Sequence, residues 1–182
     1  MNWNTTLSTM VQSLPPSGIR KFWELAMTMD NIISLCVGEP DYNPPRKVIE
    51  AAMNSLNQRQ TNYSSNHGLP ELREAISNWY HRRYGVRFAP NELMLTIGAS
   101  EAIDLALRSI LNPDEEVLIP DPSYVAHAAE VHMCGGKAIP VPTSLDDGFK
   151  LRVSELEKLV TPKTKAILMC YPSNPTGAIM TR

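Results

Sequence analysis

The chain has 182 residues, 43% of them hydrophobic and 20% charged, with a formal net charge of −2. That is enough chain and apolar content to bury a core, and a charge balance this close to neutral gives no electrostatic reason to expect nucleic acid or an anionic membrane as partner. Cys36, Cys134 and Cys170 are widely spaced and form no C-x-x-C pair, which argues against a disulfide framework or a structural zinc site and points to a reducing, cytoplasmic setting.

Met1 to Leu14 has neither a basic start nor an apolar stretch, so it does not read as a secretory signal, and no run approaches the ~18 apolar residues of a membrane span. Residues 1–18 are rich in turn formers and close on Pro15-Pro16-Ser17-Gly18. A short helical pattern follows in Ile19 to Met29, through Ile19, Phe22, Trp23 and Ala26, and such a lead-in is expected to pack on another domain or subunit. Ile32 to Val37 is a strand candidate, with Cys36 as a buried strand residue, ended by the turn chemistry of Gly38-Glu39-Pro40-Asp41. Helical periodicity returns from Pro45 to about Leu56.

Tyr63 to Gly68 is a polar loop, after which Leu69-Pro70-Glu71-Leu72 opens a helix with Leu72, Ile76, Trp79 and Tyr80 as its apolar face. A regular alternation begins beyond Asn91. Strands are expected at Glu92 to Ile97, Glu116 to Ile119, Lys137 to Val141 and Lys165 to Cys170, with helices between them at Ser100 to Leu111, Tyr124 to Met133 and Val153 to Val160. That order predicts an α/β fold: a mainly parallel sheet covered by helices on both faces, here incomplete.

In such a sheet, ligands sit outside the carboxyl ends of the strands, and three of those ends carry unusual chemistry. Ile97-Gly98-Ala99-Ser100-Glu101-Ala102 turns sharply into a helix whose first amides and Ser100 hydroxyl suit a phosphate, although Ser100 also reads as a plain N-cap. Pro120-Asp121-Pro122-Ser123-Tyr124 places an aromatic ring where it can cover a flat ligand or simply pack on the sheet. Ser173-Asn174-Pro175-Thr176-Gly177 holds the Asn174 amide between a strand and a proline, in what is otherwise an ordinary turn. The chain is thus expected to stop inside its own active site.

These segments, with Gly38-Glu39-Pro40-Asp41 and Tyr63 followed by Gly68-Leu69-Pro70-Glu71-Leu72-Arg73, resemble the N-terminal part of the class I/II aminotransferases of the fold type I pyridoxal-phosphate group, in the same order. Pro15 to Phe22 is similar to the lead-in of the bacillus-type members. The resemblance implies an N-terminal arm and small-domain segment over 1–44 and an incomplete cofactor-binding large domain over 45–182. It implies pyridoxal 5′-phosphate (PLP) as cofactor, amino acids and 2-oxo acids as substrates, and a homodimer with shared sites. By the same resemblance Ala99 and Ser100 hold the cofactor phosphate, and Tyr124 stacks on its pyridine ring. Asn174 meets its phenolic oxygen and the substrate carboxylate, Gly38 contacts that carboxylate through its backbone, and Tyr63 reaches the phosphate of the neighbouring subunit.

The family's covalent, proton-moving lysine finds no counterpart among the seven lysines, Lys21, Lys47, Lys137, Lys150, Lys158, Lys163 and Lys165, none of which stands in a Ser-x-x-Lys setting. It is expected beyond Arg182, so the chain alone is expected to be inactive. A carbon-sulfur β-lyase with the same cofactor, or a catalytically silent truncated product, are the competing expectations. His127, His132 and Cys134 do not have zinc spacing, and the i, i+5 histidines fall on different helix faces. His67 stands where the resemblance expects a small residue, and Asp104 with Arg108 reads as a surface pair at i, i+4.

Overall fold

The computed structural model describes residues 6–16, 18–33, 35, 38 and 40–181. Cys36 and half of the expected strand at Ile32 to Val37 lie outside the described residues. The chain forms two compact units, one of residues 1–17 with 97–182 and the other of residues 18–96.

The first unit is built on a three-stranded, all-parallel sheet in the order β2-β1-β3, with β1 at Glu116–Asp121, β2 at Lys137–Pro142 and β3 at Thr164–Ile167. The central strand is buried from Val117 to Pro120, as expected of a strand covered on both faces. Period two divides its side chains. Val117 and Ile119 join Leu107 and Val131 in one core cluster, whereas Leu118 joins Val141 and Leu151 in the other.

Helices α5 (Gly98–Ile110) and α6 (Ala126–Met133) supply Leu107 and Val131 to the first cluster. Helix α7 (Val153–Leu159) brings Leu156 and Leu159 to the second. The expectation of a parallel sheet covered by helices on both faces is met. Pro140 and Pro142 are tolerated because β2 is an edge strand among the described residues, where a missing N–H removes no ladder bond on the outer side. Pairing of β1 with β3 shifts register between Glu116, opposite Thr164, and Val117, opposite Ala166, leaving Lys165 as the additional residue.

Two differences from the sequence reading have simple causes. The last strand ends at Ile167 rather than Cys170, although the Leu168 N–H still donates to Leu118 O at 2.9 Å. The expected strand at Glu92 to Ile97 is not formed: Pro90–Glu92 is a 3₁₀ turn, and the chain after it has no strand partner among the described residues. Leu93 is extended (φ −109°, ψ 135°), so the local preference is present and the ladder is what is lacking. A short helix α1 (Thr9–Ser13), capped by the Ser8 side chain, stands in the stretch read as turns.

The second unit holds α2 (Gly18–Ala26), α3 (Arg46–Asn57) and α4 (Pro70–Tyr84). Helix α4 begins with a proline in its first turn and stops at Gly85, which is left-handed at φ 70° and returns its N–H to His81 O. Its expected apolar face is only partly covered, with Leu72 46% and Trp79 47% exposed. What fastens this helix is polar: Arg73 donates to Pro90 O at 2.9 Å and the Ser77 hydroxyl to Phe88 O. Trp79, Tyr80, Tyr84 and Phe88 form a chain of ring contacts beside these bonds. Gly68, which opens the Gly-Leu-Pro-Glu-Leu motif, has φ +90°, and a Cβ there would lie 2.4 Å from Leu95 Cδ1. Only glycine fits.

Leu118 is fully buried at the centre of the sheet. Leu118→Ala is expected to destabilise the protein by about 2–5 kcal/mol, read from the urea midpoint, and an unchanged midpoint would contradict this account of the core.

Candidate functional site

Parallel pairing of β1 with both neighbours puts the carboxyl ends of the strands on one edge of the sheet. The loop after β1 carries Tyr124, and the loop after β3 carries Asn174. Adjacent parallel strands therefore deliver these two expected residues to the same edge, whereas Ala99 and Ser100 arrive on α5 of the same compact unit. Tyr63 and Gly38 belong to the other unit, each exposed to solvent.

Helix α5 has Ile97 in the N-cap position and no side-chain cap bond. Ser100 is therefore inside the first turn and is not the N-cap, which separates two readings that the sequence left open. First-turn N–H groups have no intrahelical acceptor, and the Ile97 side chain supplies none. Ala99 and Ser100 are exposed. The one acidic residue of this turn, Glu101, turns its carboxylate back to accept the Ile97 N–H. Gly98 has φ +82° and nothing within 4 Å of a built Cβ, so the helix entrance is open. An uncapped, open helix start is suited to an anion.

After β1, Asp121 O accepts from both Thr143 N–H (3.0 Å) and Thr143 Oγ1 (2.8 Å), which ties the strand end to the exit from β2. Pro122 and Ser123 are half-buried, and Tyr124 emerges at 38% exposure. The loop after β3 closes on itself. The Ser173 N–H donates to Ala178 O at 2.8 Å and the Gly177 N–H to Ser173 O at 2.8 Å, leaving exposed Asn174 at its tip. Tyr171 OH donates to Phe149 O at 3.4 Å and anchors the start of the loop, a contact that no sequence pattern announced.

The lysines are placed elsewhere. Lys137 opens β2 and Lys165 lies near the start of β3, at the amino edge of the sheet, paired with Asp114 (2.8 Å) and Glu115 (3.8 Å). Lys158 pairs with Glu155 on α7 at 2.7 Å. The histidine and cysteine cluster separates as helix geometry requires, with His127 buried and His132 exposed.

Residues 30–182 match the family described as Aminotransferase class I and II. The chain belongs to the class I and II aminotransferases. It is similar to the Bacillus subtilis protein YugH, 50% identical over 177 residues, covering 97% of this chain and 46% of that protein. It is also similar to aromatic-amino-acid aminotransferase 2 of Thermococcus litoralis, 42% identical over 177 residues with the same coverage of 97% and 46%. Among solved structures, the aspartate aminotransferase of Thermotoga maritima superposes with a TM-score of 0.92 at 30% identity, over 97% of this chain and 48% of that one. The chain thus spans about half the length of the aminotransferases it matches.

Cys134 lies against α5, its Sγ 3.6 Å from Asp104 Oδ1, while Arg108 holds that carboxylate at 2.8 Å. Burial, and then the Asp104 charge, push the Cys134 thiol above its ordinary range. Site-resolved mass spectrometry is expected to find Cys134 slow to alkylate with iodoacetamide at neutral pH and faster only once the pH passes the usual thiol range of about 8.5. Rapid labelling at pH 7 would contradict that environment.

Proposed function

We propose that this chain supplies the phosphate- and ring-binding part of a PLP-dependent aminotransferase that moves an amino group between an amino acid and a 2-oxo acid. The observation that carries the reading is the adjacency of β1 and β3, which brings the Tyr124 and Asn174 loops to one sheet edge. Support comes also from the uncapped start of α5. PLP, when bound, provides the electron sink that makes loss of a Cα proton feasible, and the protein provides orientation and electrostatics.

The residues present fit that cofactor. The Ala99 and Ser100 amides and the Ser100 hydroxyl would take the phosphate, where the helix dipole favours negative charge. Tyr124 would cover the pyridine ring, and the exposed Asn174 amide would donate to the phenolic oxygen and to the substrate carboxylate. Gly38 would meet that carboxylate through its backbone, and Tyr63 would reach the phosphate site of a second subunit in a homodimer. None of the seven lysines is assigned the covalent role, because those that open strands lie at the opposite edge from these loops. In the whole protein we place an arm and small-domain segment in 1–44 and cofactor-binding chain in 45–182, in a reducing, cytoplasmic setting.

Relatives named for aspartate and for aromatic amino acids make these two donor classes the first to assay. In the full-length protein, Asn174→Ala is expected to weaken PLP binding about 10- to 100-fold in an absorbance titration, as for loss of a bond to a charged oxygen. Ser100→Ala is expected to weaken it about 5- to 10-fold. Wild-type affinity in both variants would overturn the site. With PLP bound, amino transfer from a donor to a 2-oxo acid supports the reading, whereas release of a thiol, ammonia and a 2-oxo acid from a cysteine conjugate without transfer would assign a carbon-sulfur β-lyase instead.

A further inference from the structure

Tyr124 has a specific neighbour at the carboxyl edge of β1. Its ring meets that of His127 in a T-shaped contact, centroids 5.5 Å apart and planes at 81°. The His127 N–H also donates to Tyr124 O at 3.1 Å, so the two residues share the turn that enters α6. His127 is 4% exposed and Tyr124 38% exposed. One ring is enclosed by the protein and the other offers a surface.

The character of the contact is aromatic. Among the described residues His127 Nδ1 has no hydrogen-bond partner, and the side-chain contact made by this imidazole is with the Tyr124 ring. Burial draws His127 below the ordinary imidazole range, with the Glu130 carboxylate one turn on acting in the opposite sense. The ring is therefore neutral at neutral pH. Ring pairs of this kind have a preferred T-shaped or offset geometry, so a buried His127 ring in this contact restricts the plane that Tyr124 can adopt. A stacking partner already held in its plane has less ordering left to do when a flat ligand arrives.

We infer that His127 is a positioning residue that fixes the plane of the Tyr124 ring and thereby sets the face Tyr124 turns toward the PLP pyridine ring. This rests on the stacking role given to Tyr124 above. A residue that merely filled space at His127 would be replaceable by any side chain of similar bulk, whereas a ring that orients another ring would be replaceable only by an aromatic one.

The test is a double-mutant cycle on PLP affinity, measured by absorbance titration of the full-length protein, with a thermal melt of each variant. His127→Phe is expected to bind within about two-fold of wild type, and His127→Leu about 3- to 10-fold more weakly. In a Tyr124→Ala background, His127→Leu is expected to cause no further loss. Leucine performing as well as phenylalanine, or losses that add in the double variant, would overturn the inference while leaving Tyr124 in its role. Wild-type affinity in Tyr124→Ala would remove the stacking role itself and this inference with it. Should His127→Leu fail to fold, His127→Met makes the same comparison.

Discussion

A parallel strand buried on both faces is the constraint on which the rest of this unit depends. The β1 segment is enclosed from Val117 to Pro120 and has ladder partners on either side. Burial of this kind requires apolar cover on both surfaces, and here both ladder partners run parallel to the strand. That cover comes from Leu107 and Val131 on one side and from Leu156 and Leu159 of α7 on the other. Once β2 and β3 run parallel to β1, the loops after β1 and β3 have no choice of edge. Tyr124 and Asn174, separated by fifty positions in the sequence, are delivered to one rim by the requirements of backbone hydrogen bonding and apolar burial.

Around that rim the loops are held by their own backbone. Asp121 O takes two bonds from Thr143, the Ser173 to Ala178 turn closes on itself, and Gly98 opens the way into α5 without a side chain overhead. Each of these fixes main chain. At the start of α5 the Glu101 carboxylate is occupied with the Ile97 N–H, so the acidic group nearest the helix entrance already has a partner.

The sheet was legible in the sequence because buried parallel strands read as short apolar runs between helical segments, as in Val117 to Ile119 and Lys137 to Val141. Leu93 to Ile97 has the same composition and is not a strand, because a strand is a property of two segments and composition describes one. The role of Ser100 was ambiguous for a related reason. Its residue type suits an N-cap, and only the backbone shows that the helix begins earlier, with Ile97 in that position. The apolar face of α4 was read correctly as a pattern, but pattern does not say what covers it. In the structure polar bonds from Arg73 and Ser77 to the 88–90 segment fasten the helix while Trp79 remains half exposed. His127 was set aside as an unlikely metal ligand, and its contact with Tyr124 depends on ring planes that no spacing rule encodes.

The candidate site therefore divides into two kinds of recognition. On the proposed reading, α5 would meet the phosphate with the Ala99 and Ser100 amides and the Ser100 hydroxyl at the start of the helix. At the two strand ends recognition would be by side chain, through one ring and one amide whose orientation matters. Backbone recognition survives many substitutions, since any residue compatible with the helix presents the same N–H. Side-chain recognition does not, and it needs supporting contacts to hold its geometry. Tyr124 has such support in His127, and the Asn174 loop has it in the Ser173, Gly177 and Tyr171 bonds. On the proposed reading, sequence change at those supporting positions would adjust how a flat ligand is oriented with less effect on the phosphate grip.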